Sequence, residues 1–126
     1  SPLYLACQFG FEDIVKLLVE SGANINSIND DWTPIEIACS NGFISIVDYL
    51  LEKGANVHLK TPREYKLLHI ATEENNLEMV KLLIEKGNMN VNSSDSGGWT
   101  ALHIASHENY YEIAKYLIKQ KNADVN

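Results

Sequence analysis

Apolar residues fall at helical spacing in four nearly matching stretches of this chain, each followed by a polar connection. Ala6, Ala38, Ala71 and Ala105 lie 32, 33 and 34 positions apart, and nine residues after each comes Val15, Val47, Val80 or Ala114. A constant offset inside a nearly constant period is the signature of a repeated supersecondary unit. Each stretch predicts two short amphipathic helices. In the second, Thr33 is placed as N-cap, Pro34 suits the first helical position, and Ile35, Ile37 and Ala38 form the buried stripe, with the helix ending near Asn41. The following helix is read over Ile46 to Leu51, with counterparts at Ile14 to Leu18, Met79 to Leu83 and Ile113 to Leu117.

The reversals between paired helices are written in the same register. Gly10 and Gly42 supply a residue of positive φ, and Asn75 and Asn109, the next best tolerated type, hold that place in the third and fourth stretches. Turn-forming runs such as Ser27 to Asp31 and Ser93 to Gly98 bridge to the next unit. The third unit departs most: between Leu59 and Lys66 the pattern is lost, and Lys66-Leu67 replaces the Thr-Pro start. A weaker helix start is expected there.

Ser1-Pro2-Leu3-Tyr4, Thr33-Pro34-Ile35-Glu36, Lys66-Leu67-Leu68-His69 and Thr100-Ala101-Leu102-His103, with Leu17-Leu18, Leu50-Leu51, Leu82-Leu83 and Leu117-Ile118 downstream, resemble the TPLH box and LL ridge of ankyrin repeats. The resemblance covers the whole chain. It implies an all-α solenoid of stacked helix-turn-helix units with β-hairpin-like connecting loops, a single domain over 1–126 with repeats near 1–27 (partial), 28–60, 61–93 and 94–126. Leu3, Leu5, Phe9 and Phe11 crowd the first repeat where a terminal repeat carries a polar outer face. A segment of a longer array or larger protein is therefore expected.

Composition narrows the function. A net charge of −7 with ten Lys and Arg argues against a nucleic-acid surface, which needs a concentrated basic face. A protein partner with a basic or neutral surface fits better. No apolar run approaches the roughly 20 residues of a membrane helix, so no membrane association is expected. Cys7 and Cys39 share one slot of neighbouring repeats, about 10 Å apart at helix-packing distance, which is too far for a disulfide. Free thiols point to a reducing compartment, with cytoplasm the default and a nuclear or secreted role left open.

Trp32, Tyr65 and Trp99 each stand one residue before the TPLH box, at one place on successive hairpins, and stacking aligns them along one edge. Large aromatics are frequent binding anchors; the alternative is that they cover the adjacent hairpin. The resemblance places partner contacts on the concave side of the first helices and on the hairpin tips. That set includes Asn41, Glu73, Glu74, His107 and Glu108 on helices, and Asp30 and Arg63 at tips. Its acidic character suits a partner presenting Lys or Arg.

The best case for chemistry is His69 with Glu73 and His103 with His107, each pair at i, i+4. Those four form a remote zinc alternative, opposed by the family role of His69 and His103 in hydrogen bonding between repeats and by the poor convergence of ligands about 10 Å apart. Cys7 and Cys39 fill a small-residue slot and imply no nucleophile. No catalytic residue, metal, cofactor or small-molecule substrate is expected. The reading is a non-catalytic protein-interaction module, with a structural spacer in a larger protein as the alternative.

Overall fold

A computed structural model describes residues 1–58 and 67–126, and the chain divides into two compact units, Ser1–Arg63 and Glu64–Asn126. The first holds α1 (Pro2–Phe9), α2 (Glu12–Glu20), α3 (Pro34–Ser40) and α4 (Ile44–Glu52). The second holds α5 (Leu67–Glu73), α6 (Leu77–Glu85), α7 (Ala101–Glu108) and α8 (Tyr111–Ile118). In the first unit α1 packs on α2 and α3, and α2 on α4; in the second α5 packs on α6 and α7, and α6 on α8. Each unit is thus two helix pairs laid side by side. Among the described residues the connecting loops contain no strand, only the isolated antiparallel bridges Asn29–Trp32 and Ser94–Thr100.

The starts of α1, α3, α6 and α7 carry side-chain caps, whereas α2, α4 and α8 have none. Thr33 accepts from the Glu36 amide at 3.3 Å, and Glu36 Oε1 accepts from the Thr33 amide at 2.8 Å and from its hydroxyl at 3.0 Å, a reciprocal capping box that explains why a buried glutamate is tolerated. At α7 a histidine takes the place of the glutamate: Thr100 accepts from the His103 amide, and His103 Nδ1 accepts from the Thr100 amide at 3.0 Å. The expected weak start of the third repeat, between Leu59 and Lys66, lies outside the described residues.

The reversals form as the spacing predicts. Gly10, Gly42, Asn75 and Asn109 have φ of 76°, 77°, 52° and 62°. At Gly10 the requirement is double, because a Cβ there would meet the Phe43 ring at 2.9 Å. Just after Asn75, Asn76 caps α6 by accepting from the Met79 amide at 3.1 Å.

Ala6, Ala38, Ala71 and Ala105 are all buried, and the small side chain lets neighbouring helices approach. Val15, Val47 and Val80 are buried too, whereas Ala114 is only half-buried. Leu3 belongs to the core and not to the exposed apolar set of the first repeat, because it lies on the inner face of α1. Leu5, Phe9, Phe11, Ile14 and Leu17 are exposed. Hydrogen bonds tie adjacent repeats as well: Asn56 donates its amide to Asn26 Oδ1 at 2.8 Å, and Asp124 repeats that bond to Asn92 Oδ1 at 2.8 Å.

Both cysteines are free and fully buried. Burial pushes the Cys7 thiol up to about 12 from its ordinary 9.0. The native state therefore favours the protonated thiol, and its contribution to stability, present below the ordinary value, is lost as pH rises toward the folded one. A thiol reagent at pH 9.0 should leave Cys7 unlabelled in the folded protein, and both cysteines should react when denaturant unfolds the chain. Gly10→Ala should lower stability in urea by about 1–2 kcal/mol from the left-handed backbone alone, and further through the displaced Phe43 ring. Gly22→Ala, at φ 94° with open space around its Cβ, should lose only the backbone part.

Candidate functional site

The second unit carries an open cleft of about 410 Å³ between the end of α5 and α7, lined by Glu73, Asp95, Trp99, Ile104, His107, Glu108 and Tyr110. Its geometry is set by the loop before α7. Asp95 Oδ1 accepts from the amides of Gly97 and Trp99, both at 2.9 Å. The Asp95 amide donates back to the Trp99 carbonyl at 2.9 Å, and the Gly98 amide donates to the Asp95 carbonyl at 3.0 Å. The amide of Trp99, more than any other group, holds the Asp95 carboxyl below its usual range.

The Trp99 carbonyl has a second donor. Nε2 of the buried His69 lies 2.8 Å from it, and since a carbonyl only accepts, that nitrogen carries the proton. This bond joins the third repeat to the fourth, the role expected of His69. His103 does not share that role among the described residues: its Nδ1 serves the cap of its own helix. His69 Nδ1, the atom equivalent to that capping nitrogen, is buried with no hydrogen-bond partner among the described residues. Position 66, where Thr100 has its counterpart, carries Lys and not Thr.

With its backbone pinned at both N–H and C=O, Trp99 is 41% exposed. The ring meets the His107 imidazole edge-on at 5.5 Å and tilts over His103 at 6.0 Å. His107 Nδ1 is 2.9 Å from Glu108 Oε1. Tyr110 closes the other side, its hydroxyl 3.5 Å from the Glu73 carbonyl. Partial burial, first of all, raises the Glu73 carboxyl above its ordinary value; Glu74 and Asp95 add to the rise and His69 opposes it.

Trp99, Glu73, His107 and Glu108, read separately from the sequence, thus line one cleft. Glu74 stands beside it at the exposed end of α5. Trp32, Asp30 and Asn41 belong to the other unit. Asn29 and Trp32 exchange backbone bonds at 2.7 and 3.0 Å around a two-residue turn in which Asp30 and Asp31 have φ of 48° and 71°. The two tryptophans therefore stand on turns of different construction, because Ser96-Gly97-Gly98 lengthens the second. Trp32 is half-buried, and Asn41 spends its side-chain amide on the Gln8 carbonyl at 3.0 Å. Tyr65 and Arg63 lie outside the described residues.

Sequence reasoning missed Asp95, Tyr110 and Ile104. For Asp95 a signal existed, since Asp followed by Ser-Gly-Gly is an Asx-turn pattern; for the others, cleft-lining depends on how α7 and α8 pack.

The zinc alternative finds no support in the arrangement of the described side chains. No group of three or more His, Cys, Asp or Glu among the described residues is arranged to hold a metal. No helix among the described residues is long and apolar enough to cross a membrane.

A family model described as ankyrin repeats (three copies) matches residues 1–61 and 54–126. Ankyrin repeats are generally protein–protein interaction modules and are typically non-catalytic.

Glu73 supplies a test of the electrostatics. Its raised pKa means that ionisation opposes folding, a penalty absent below the ordinary carboxylate range and growing as pH rises through the folded value. Glu73→Gln should therefore melt higher than wild type at neutral pH, and the difference should vanish in acid, as read by thermal unfolding across a pH series.

Proposed function

The chain belongs to the ankyrin-repeat family, and we propose that it acts as a non-catalytic recognition module that docks a protein partner through the Trp99 cleft. The observation that carries this reading is the exposed indole on a backbone fixed by Asp95 and His69. A large aromatic group held in place before binding contributes contact area with little rotamer entropy left to lose. Glu73, His107 and Glu108 give the anchor a polar surround, which is how energetic centres of interfaces are built. The Trp32 turn, with Asp30 at its tip, is a secondary contact on the first unit, and Asn41 contributes mainly by holding α3 to α1.

The net charge of −7 favours a partner with a basic or neutral surface, because complementary charge accelerates encounter and like charge opposes it.

The test compares wild type with Trp99→Ala and Lys115→Ala, the latter an exposed α8 residue outside the cleft. All three are first shown to have the same circular dichroism, then used to capture proteins from the cells that make this chain. Captured candidates are purified and titrated directly. Trp99→Ala should weaken a genuine partner by tenfold or more, the loss of about 1.4 kcal/mol or more typical of a central anchor, while Lys115→Ala leaves it unchanged. A partner held equally by Trp99→Ala rejects the cleft as the docking site; no direct partner at all favours a spacer role.

A further inference from the structure

Three lysines of this chain lie over half-buried tyrosine rings. Lys16 and Lys53 lie 5.8 and 5.7 Å from the centre of the Tyr49 ring, and Lys81 lies 5.6 Å from that of Tyr116. The Trp99 cleft differs. Among the described residues no Lys or Arg covers Trp99 or Tyr110, and none lies within ion-pair distance of Glu73 or Asp95. Trp99, Glu73 and Asp95 line the cleft with no lysine or arginine beside them among the described residues, and the rings that lie against the indole are those of His103 and His107.

Accordingly we propose that the cleft receives the guanidinium of an arginine side chain projecting from the protein partner, stacked on Trp99 and bonded to Glu73 and Asp95. This inference rests on the recognition reading above and names the group that reading leaves undefined.

Three features select for the chemistry. The space, about 410 Å³, falls in the range of roughly 300–1,000 Å³ that suits a small ligand or a single inserted side chain. Its lining includes the buried Ile104, which suits an alkyl stem, and the indole and the carboxylates, which suit a cationic head. Asp95 uses Oδ1 for both amide bonds, so Oδ2 is left to accept from a ligand. A guanidinium is planar, weakly hydrated and donates several N–H bonds in a fixed fork, so it can stack on an indole face and reach two carboxylates at once. An ammonium is a compact, strongly hydrated point charge that gains less from the same surroundings. Arrival of a cation also relieves the mutual repulsion of Glu73, Glu74 and Asp95 that helps raise the Glu73 carboxyl.

The test is an NMR titration of the protein with N-acetyl-arginine amide, following the indole N–H signals of Trp99 and Trp32, the second serving as an internal control. Trp99 should shift saturably while Trp32 stays still. The neutral isostere N-acetyl-citrulline amide should bind about tenfold more weakly, as loss of a charge-assisted contact implies. N-acetyl-lysine amide should also bind more weakly than arginine. Glu73→Gln should weaken arginine by about threefold, the scale of one partly exposed ion pair. Equal shifts with the citrulline or lysine compound, no shift at Trp99 up to the solubility of the arginine compound, or an unchanged affinity in Glu73→Gln each overturn the proposal. Should the arginine compound fail while Trp99→Ala still loses the protein partner, the recognition reading stands and the guanidinium assignment alone falls.

Discussion

No helix among the described residues exceeds nine residues, and helices of that length do not persist alone in water. Every other feature answers to that constraint. Each helix needs a neighbour to cover its apolar stripe, and four of them, α1, α3, α6 and α7, also start on a side-chain cap, whereas α2, α4 and α8 do not. The alanines at 6, 38, 71 and 105 let that neighbour come close, and the buried leucines and valines behind them provide the area. Stability is thus shared between adjacent repeats and not held within any of them.

The same constraint shapes the candidate site. Connections between short helices run over the surface, and their backbone groups need partners there. Asp95 and His69 satisfy the N–H and C=O of Trp99 and so fix its backbone, while His103 and His107 lie against the ring. One set of hydrogen bonds therefore joins two repeats, shapes the loop and presents the aromatic anchor. A surface residue tied this firmly to the scaffold combines exposure with preorganisation, the pairing that makes a small patch an effective contact.

Repetition also allows the parts to diverge. The box that Glu36 completes in the second repeat is completed by His103 in the fourth, and in the third His69 Nδ1 has no partner among the described residues. The turn before Trp32 closes in two residues of positive φ, while the turn before Trp99 is lengthened by Ser96-Gly97-Gly98 and organised by an Asx bond. Equivalent sequence positions thus acquire different exposure, half-buried for Trp32 and open for Trp99.

By itself the sequence determined the repeat, the paired helices, the four reversals at Gly10, Gly42, Asn75 and Asn109, and the buried alanine slot, because each rests on local conformational preference or on periodicity. It also marked Trp99, Glu73, His107 and Glu108 one by one. Their convergence on a single cleft, the inclusion of Asp95, Tyr110 and Ile104, and the engagement of Asn41 with Gln8 were decided by the tertiary structure. These depend on distances across packed helices, on which of two hydrogen-bond partners a side chain reaches, and on the shape of one loop. Such quantities are fixed by packing and have no local code.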